Sequence, residues 1–235
     1  MKFVNLHTHF YTNSDSVLEI VNQYPNEFIA DIPNYSIGIH PWHIVDESVD
    51  EDLNYIKNKL QLNECIALGE CGLDKRIEKK MEVQIDVFES QLSLLHEISK
   101  PVILHCVAAF DEVISCKKNS NLQSPFIIHG FSKNIPLAKQ LLNEDFYLSF
   151  GKYLLRNPEM ELVFKYVPND KIFLETDTIS ESMEEVYTFA AKCKNISVEE
   201  MKEIVWNNYQ SVFKKSNKLW QNGKKEPLYY LKKKV

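Results

Sequence analysis

The sequence has few cysteines and no long apolar run, and both shortages exclude classes of protein. Its five cysteines form no C-x-x-C pair and leave an odd number, so we expect neither a disulfide framework nor a zinc ribbon. No window approaches the roughly 18 apolar residues of a membrane helix. The N-terminus leads directly into strand-like residues rather than into a signal peptide. We therefore expect a soluble, cytoplasmic protein that does not associate with membranes.

Internal repeats, low-complexity tracts and Gly/Ser linkers are also missing, so nothing marks a boundary between domains. With 235 residues, 44% hydrophobic and 26% charged, the chain can bury one large core. Its charge is uneven, because residues 214–235 hold eight lysines and one glutamate although the net charge is −6. We predict a domain at residues 1–213 and a basic C-terminal extension at 214–235, which either meets a phosphate backbone or is simply solvated.

Short apolar runs alternate with longer segments of helical periodicity. Continuous apolar runs are typical of parallel strands that are buried on both faces. The eight runs are residues 3–6, 28–32, 36–39, 65–68, 102–104, 126–128, 146–150 and 172–174. Eight strands alternating with helices predict an α/β fold of the (β/α)₈ TIM-barrel type in a single domain.

Amphipathic periodicity predicts helices at residues 51–60, 81–98, 136–142 and 183–193. Ser14 or Asp15 could cap a first helix, and Ser197 with Glu200 three residues later forms a capping box for the last. The second predicted strand contains Asp31 and ends at Pro33. A shortened or distorted second βα unit is therefore the alternative to a regular barrel.

Histidines and carboxylates follow the predicted strands at the same end. His7 and His9 are two residues apart, so on a strand they face the same side about 6.6 Å apart in rise. The carboxyl ends of the strands form one rim in a barrel, where active sites lie. We predict that six side chains meet there as metal ligands: His7, His9, Glu70, His105, His129 and Asp177.

Imidazole and carboxylate together favour Zn²⁺ or Mn²⁺, whereas a site that holds only Mg²⁺ usually has more oxygen ligands. We predict one or two divalent ions per chain, Zn²⁺, Mn²⁺ or Mg²⁺, with Glu70 able to bridge two ions about 3.5 to 4 Å apart. Such ions make water reactive near neutral pH, which predicts hydrolysis. Glu70 and Asp177 are the predicted catalytic residues, and Asp177 would accept a proton from the attacking water.

Other polar residues near the rim have predicted supporting roles. His40 could contact the substrate, and Trp42 could stack on a base, although packing within its loop is the alternative for Trp42. Asp74 and Glu175 are placed to orient ligand histidines.

Together these residues resemble the TatD family of metal-dependent deoxyribonucleases among the amidohydrolase-like barrels. The resemblance covers most of the chain and lies in ordered blocks: Asn5 to His9, Gly38 to Pro41, Gly69 to Asp74, Pro101 to His105, His129 to Ser132, Glu175 to Asp177 and Trp206 to Tyr209, with Gln84 in the helix after Asp74. It implies a (β/α)₈ barrel, divalent metal bound by the six residues above, and nuclease activity on DNA.

Some positions depart from the family pattern. Asn5 stands where the family usually has Asp, and Val107 stands where an Arg that could meet a phosphate usually follows. The leading hypothesis is a 3′–5′ exonuclease-like deoxyribonuclease that hydrolyses ester bonds. Its partner would be DNA or another phosphodiester, with no obligate protein partner. The alternatives are a metal-dependent ester or amide hydrolase, such as a D-aminoacyl-tRNA deacylase, and a non-catalytic binding barrel, which the intact ligand set disfavours.

Overall fold

Eight parallel strands form one sheet in chain order in the computed structural model, which describes residues 1–214. The strands are β1 (Phe3–Thr8), β2 (Val17–Gln23), β3 (Tyr35–Ile37), β4 (Cys65–Asp74), β5 (Val102–Val107), β6 (Phe126–Ile128), β7 (Phe146–Phe150) and β8 (Ile172–Leu174). A parallel bridge between Thr8 at the end of β1 and Asp177, three residues after β8, connects the two ends of the sheet. Asp177 donates its N–H to the His7 carbonyl at 2.9 Å and accepts from the His9 N–H at 3.2 Å. The predicted barrel is therefore confirmed.

Helices cover the barrel from β3 onwards. They are α1 (Val49–Lys59), α2 (Met81–Ser93), α3 (Phe110–Ser120), α4 (Ile135–Asn143), α5 (Lys152–Arg156), α6 (Glu159–Tyr166), α7 (Met183–Lys194) and α8 (Val198–Tyr209). Four of them match the predicted periodic segments to within a few residues, except that the segment 81–98 ends as a 3₁₀ turn, Leu94–His96. None of the helices within residues 1–214 has the length and apolarity needed to span a membrane. The predicted basic extension, from residue 215 onwards, lies outside the described residues.

The predicted position of the second strand is wrong. The strand is Val17–Gln23, whereas residues 28–32 are irregular with a turn at residues 30–31, after a 3₁₀ helix at Pro25–Glu27. The predicted cap at Ser14 or Asp15 is also wrong, because residues 9–16 contain no α-helix and lead directly from β1 into β2. Between β2 and β3 the described chain has only the 3₁₀ helix. The first two connections are thus shorter than a regular βα unit, in line with the shortened unit considered above.

The capping box of α8 is present as predicted. Ser197 Oγ accepts a hydrogen bond from the Glu200 N–H at 3.2 Å, and Glu200 Oε2 accepts from the Ser197 N–H at 2.8 Å. Replacing Ser197 by Ala should lower the free energy of unfolding by about 1 kcal/mol, because one helical N–H loses its acceptor. Ser90→Ala in α2 is the control, since its hydroxyl donates to the Asp86 carbonyl of its own helix and caps no helix end. Chemical denaturation of both variants tests this, and equal stability of the two would contradict it.

Candidate metal centre

Glu70 lies within β4 rather than after it, because the strand continues through Asp74 instead of ending at residue 68. Two glycines allow this continuation. Gly69 and Gly72 have φ of +136° and +137°, and a Cβ built at Gly72 would lie 2.1 Å from the His105 carbonyl oxygen. Side chains cannot occupy that space, so β4 and β5 approach closely only because both positions are glycine. The close approach places Glu70 beside His105.

Histidines surround the buried Glu70 carboxylate on both sides. Its Oε2 lies 3.3 Å from His7 Nε2 and 3.9 Å from His9 Nε2. Its other oxygen, Oε1, lies 2.7 Å from a ring nitrogen of His129, 2.9 Å from one of His105 and 3.3 Å from one of His40. The two oxygens therefore face two different groups of imidazoles, which is the arrangement of a carboxylate that can bridge two ions.

Asp177 completes the first of these groups. Its Oδ1 lies 3.4 Å from His9 Nε2 and 3.7 Å from His7 Nε2. The residue has φ of +54°, a conformation that Asp adopts more readily than most residues. All six predicted ligands thus meet in one pocket at the carboxyl ends of the strands, although their role as ligands stays a prediction.

Three sets of side chains each bring their donor atoms within 4.8 Å of one another. They are His7, His129 and Asp177; His7, His9 and Glu70; and His40, Glu70 and His105. The third set includes His40, which the sequence indicated only as a substrate contact. His40 Nδ1 accepts the Trp42 N–H at 3.1 Å at the start of a 3₁₀ helix. This bond leaves Nε2 facing Glu70, so His40 is a candidate ligand as well.

The carboxylates and histidines of the pocket shift one another's pKa values. Burial raises the pKa of Glu70, but the charges on His129 and His7 and hydrogen bonds from His105 and His129 outweigh it and hold the pKa well below its usual range. Burial lowers the pKa of His129, but Glu70 and Glu175 together hold it well above its usual value. Burial likewise raises the pKa of Asp177, while its bond with His9 and the charge on His7 bring it down. The pocket therefore keeps its carboxylates ionised and attracts positive charge.

The donors present fit a divalent cation. His7 is completely buried, and neither of its ring nitrogens has a hydrogen-bond partner within the described chain. Burying such a group without a partner costs about 1 to 3 kcal/mol. A cation held between His7 Nε2, Glu70 and Asp177 would satisfy one of these nitrogens. Imidazole nitrogens with carboxylate oxygens are also the donor set of Zn²⁺ and Mn²⁺.

A second layer of residues orients the histidines. Asp74 Oδ2 lies 3.2 Å from His105 Nε2 and accepts the Trp42 indole N–H at 2.7 Å. Gln84 holds the backbone of Asp74, accepting its N–H at 2.8 Å and donating to its carbonyl at 3.0 Å. Trp42 is 61% exposed, so its predicted role in stacking on a base stays a prediction.

His129 is held in the same way from the end of β8. Glu175 Oε1 lies 3.3 Å from His129 Nδ1 and accepts the Gly130 N–H at 2.8 Å. A carboxylate on this nitrogen fixes the ring with its other nitrogen towards Glu70, as second-layer carboxylates do for metal-binding histidines.

Two residues of the pocket wall were missed from sequence because one lies on the misplaced second strand and the other directly follows it. Asn22 Oδ1 accepts the Glu70 N–H at 2.7 Å and so fixes the backbone that carries the central carboxylate. The ring of Tyr24 lies 6.2 Å from the ring of His9 and 5.1 Å from that of His43. Burial and then the charge of Glu70 raise the pKa of Tyr24. No spacing pattern would have indicated either residue.

Comparison with known proteins identifies the family. The model of TatD-related DNases matches residues 1–214. The chain belongs to this family. Among solved structures, the TatD homologue YJJV from Escherichia coli K12 superposes with a TM-score of 0.77 at 21% identity, covering 90% of this chain and 98% of that one. The TatD-family hydrolase of Entamoeba histolytica superposes with a TM-score of 0.76 at 16% identity, covering 91% and 98%. These similarities show the fold.

Two relatives in the family are more similar in sequence. One is the uncharacterized metal-dependent hydrolase YabD of Bacillus subtilis strain 168, 31% identical over 68% of this chain and 62% of its own length. The other is the 3′-5′ ssDNA/RNA exonuclease TatD of Erwinia tasmaniensis, 29% identical over 70% of this chain and 63% of its own length. The match therefore spans less than two thirds of either relative.

Proposed function

We propose that this chain is a divalent-metal-dependent phosphodiesterase that removes nucleotides from the 3′ end of single-stranded DNA. The observation that carries the proposal is the two-sided environment of Glu70, whose oxygens face separate histidine groups at 2.7 to 3.9 Å. Paired metal ions held in this way are common in enzymes that hydrolyse phosphate esters. The exonuclease name of the Erwinia tasmaniensis relative supports the same substrate class.

The proposed mechanism gives these side chains separate roles in metal binding, proton transfer and positioning. One ion would be held by His7, His9 and Asp177, the other by His40, His105 and His129, with Glu70 shared between them. When bound, such ions lower the pKa of water and neutralise charge on the attacked phosphoryl group. Asp177 is the proton acceptor, because its side chain is 29% exposed to the cleft while that of Glu70 is only 4% exposed. Asp74 and Glu175 keep the rings of His105 and His129 in place.

Metal dependence provides the first test. Purified protein should hydrolyse bis(p-nitrophenyl) phosphate with Mn²⁺, Zn²⁺ or Mg²⁺, lose this activity in EDTA, and regain it when excess metal is added. Metal analysis should find one or two ions per chain. Circular dichroism in EDTA is the control, because the barrel core does not involve the metal and the spectrum should persist. Activity that survives complete removal of metal would refute the proposal.

The direction of cleavage is tested on DNA. A 5′-labelled single strand should be shortened one nucleotide at a time, and phosphorothioate linkages at its 3′ end should slow this. A duplex with blunt ends should be degraded more slowly, since the pocket must admit one strand end. Internal cuts from the first time point would indicate an endonuclease instead.

A carboxylic ester or amide hydrolase, such as a D-aminoacyl-tRNA deacylase, is the second candidate. Val107 favours it, because it places no positive charge beside His105 for a phosphate. Assays on p-nitrophenyl acetate and on D-aminoacyl-tRNA with the same preparation separate the two. Hydrolysis of these substrates without hydrolysis of phosphodiesters would replace the first proposal by the second.

A further inference from the structure

Tyr24 is a polar group at the metal pocket for which the proposed mechanism has no use. It follows β2 directly and is half-buried, and with His40 and His43 it lines a cavity of about 50 Å³. Its phenol is close enough to Glu70 and Asp177 for both charges to act on it. Its ring lies 6.2 Å from the ring of His9, so Tyr24 stands on the side of the pocket where His9 and Asp177 meet.

Asn22 is the polar neighbour that acts directly on the Tyr24 phenol. The amide oxygen of Asn22 is engaged by the Glu70 N–H, while its amide nitrogen, a donor, is buried and has no hydrogen-bond acceptor among residues 1–214. Tyr24 lies beside this amide. A phenol O–H that points away from Asn22 leaves its oxygen free to accept from this amide, and it leaves the phenol proton available to a bound substrate.

An anionic substrate needs such a donor here. The pocket holds the carboxylates of Glu70, Asp74, Glu175 and Asp177, and negative charge repels a phosphodiester wherever the cations do not offset it. The indole N–H of Trp42 is already donated to Asp74 at 2.7 Å. A phenol keeps its proton at neutral pH and can donate it without adding another charge.

We infer that Tyr24 donates a hydrogen bond to a non-bridging phosphoryl oxygen of the bound substrate, and that it thereby selects phosphate esters. The inference rests on the proposed function, because it takes a phosphodiester as the substrate. His43 packs edge-on against the Tyr24 ring at 5.1 Å and so restricts the positions the ring can take.

Tyr24→Phe tests the inference, since it removes the hydroxyl and keeps the ring. Tyr11→Phe is the matched control, because its hydroxyl bonds Asn13 Oδ1 at 2.8 Å in the exposed loop after His9. In metal-loaded protein, titration calorimetry with inorganic phosphate should give about tenfold weaker binding for Tyr24→Phe and unchanged binding for Tyr11→Phe. Metal content should equal that of the wild type in both variants.

A substrate analogue distinguishes direct contact from support of the pocket. The two phosphorothioate diastereomers of a thymidine dinucleotide replace one or the other non-bridging oxygen by sulfur, a weak acceptor. The wild type should hydrolyse one isomer more slowly than the other for this reason, and Tyr24→Phe should reduce that ratio. The value of kcat/KM on bis(p-nitrophenyl) phosphate should fall 10- to 100-fold.

The outcomes separate the two proposals. A wild type that binds phosphate but hydrolyses no phosphodiester would defeat the proposed function, while phosphate binding would still report on Tyr24. Phosphate binding by Tyr24→Phe within twofold of the wild type, with an unchanged isomer ratio, would overturn the inference. Loss of metal together with loss of phosphate binding would overturn it as well, because Tyr24 would then support the metal site instead.

Discussion

Glu70→Gln should lower kcat for phosphodiester hydrolysis by at least about 10³-fold, which corresponds to about 4 kcal/mol of transition-state stabilisation. The substitution keeps the size of the side chain and removes its charge. Five histidines lie within 2.7 to 3.9 Å of this carboxylate, so an amide would turn at least one N–H towards imidazole nitrogens that must accept a cation. The bound metal should fall below the wild-type content, as elemental analysis will measure.

Glu203→Gln is the matched control for this variant. Glu203 is exposed on α8, so the same chemical change should leave both the rate and the metal content unaltered. The thermal unfolding profile of Glu70→Gln should show a folded protein, since the amide fits the space of the carboxylate. A folded Glu70→Gln protein with wild-type kcat would remove Glu70 from the mechanism.

The convergence of the candidate ligands could be predicted from sequence more readily than the positions of the residues around them. His105 and His129 follow recognisable apolar runs, and parallel strands in a barrel bring their carboxyl ends to one rim. Their convergence on Glu70 follows from that rule alone. The role of His40 does not, because it depends on the 3₁₀ turn at Pro41–His43 and on the Trp42 N–H that occupies its Nδ1. Such local geometry is not encoded by residue spacing.

The sequence pattern misplaced the second strand because β2 carries several polar residues, which are buried in the structure. β2 contains Glu19, Asn22 and Gln23, each at most 6% exposed, and buried polar groups count against a strand unless they are paired. Each has a partner: Glu19 accepts from Thr12 at 2.9 and 3.0 Å, and Gln23 accepts the Ile29 N–H at 2.9 Å. The run at residues 28–32 looked more strand-like only because these partners are invisible in a linear pattern.

The second large expected effect is a loss of stability, and it concerns a glycine in β4, the strand that carries Glu70. Gly72→Ala should lower the free energy of unfolding by more than about 4 kcal/mol or leave the protein insoluble. The added Cβ would lie 2.1 Å from the His105 carbonyl oxygen, and φ of +137° is strained for any residue with a side chain. Neither strand can move aside, because Gly72 is paired with His105 in the register that joins β4 to β5.

Gly130→Ala separates this steric effect from the cost of a positive φ alone. Gly130 has φ of +58°, and its added Cβ would meet nothing closer than Glu175 Oε1 at 3.7 Å. Gly130→Ala should lower the free energy of unfolding by only about 1 to 2 kcal/mol, the ordinary penalty of the left-handed region. Urea denaturation of both variants, with yield of soluble protein as a second readout, measures the difference. A Gly72→Ala protein as stable as Gly130→Ala would mean that β4 and β5 can separate, and that the position of Glu70 beside His105 does not depend on this glycine.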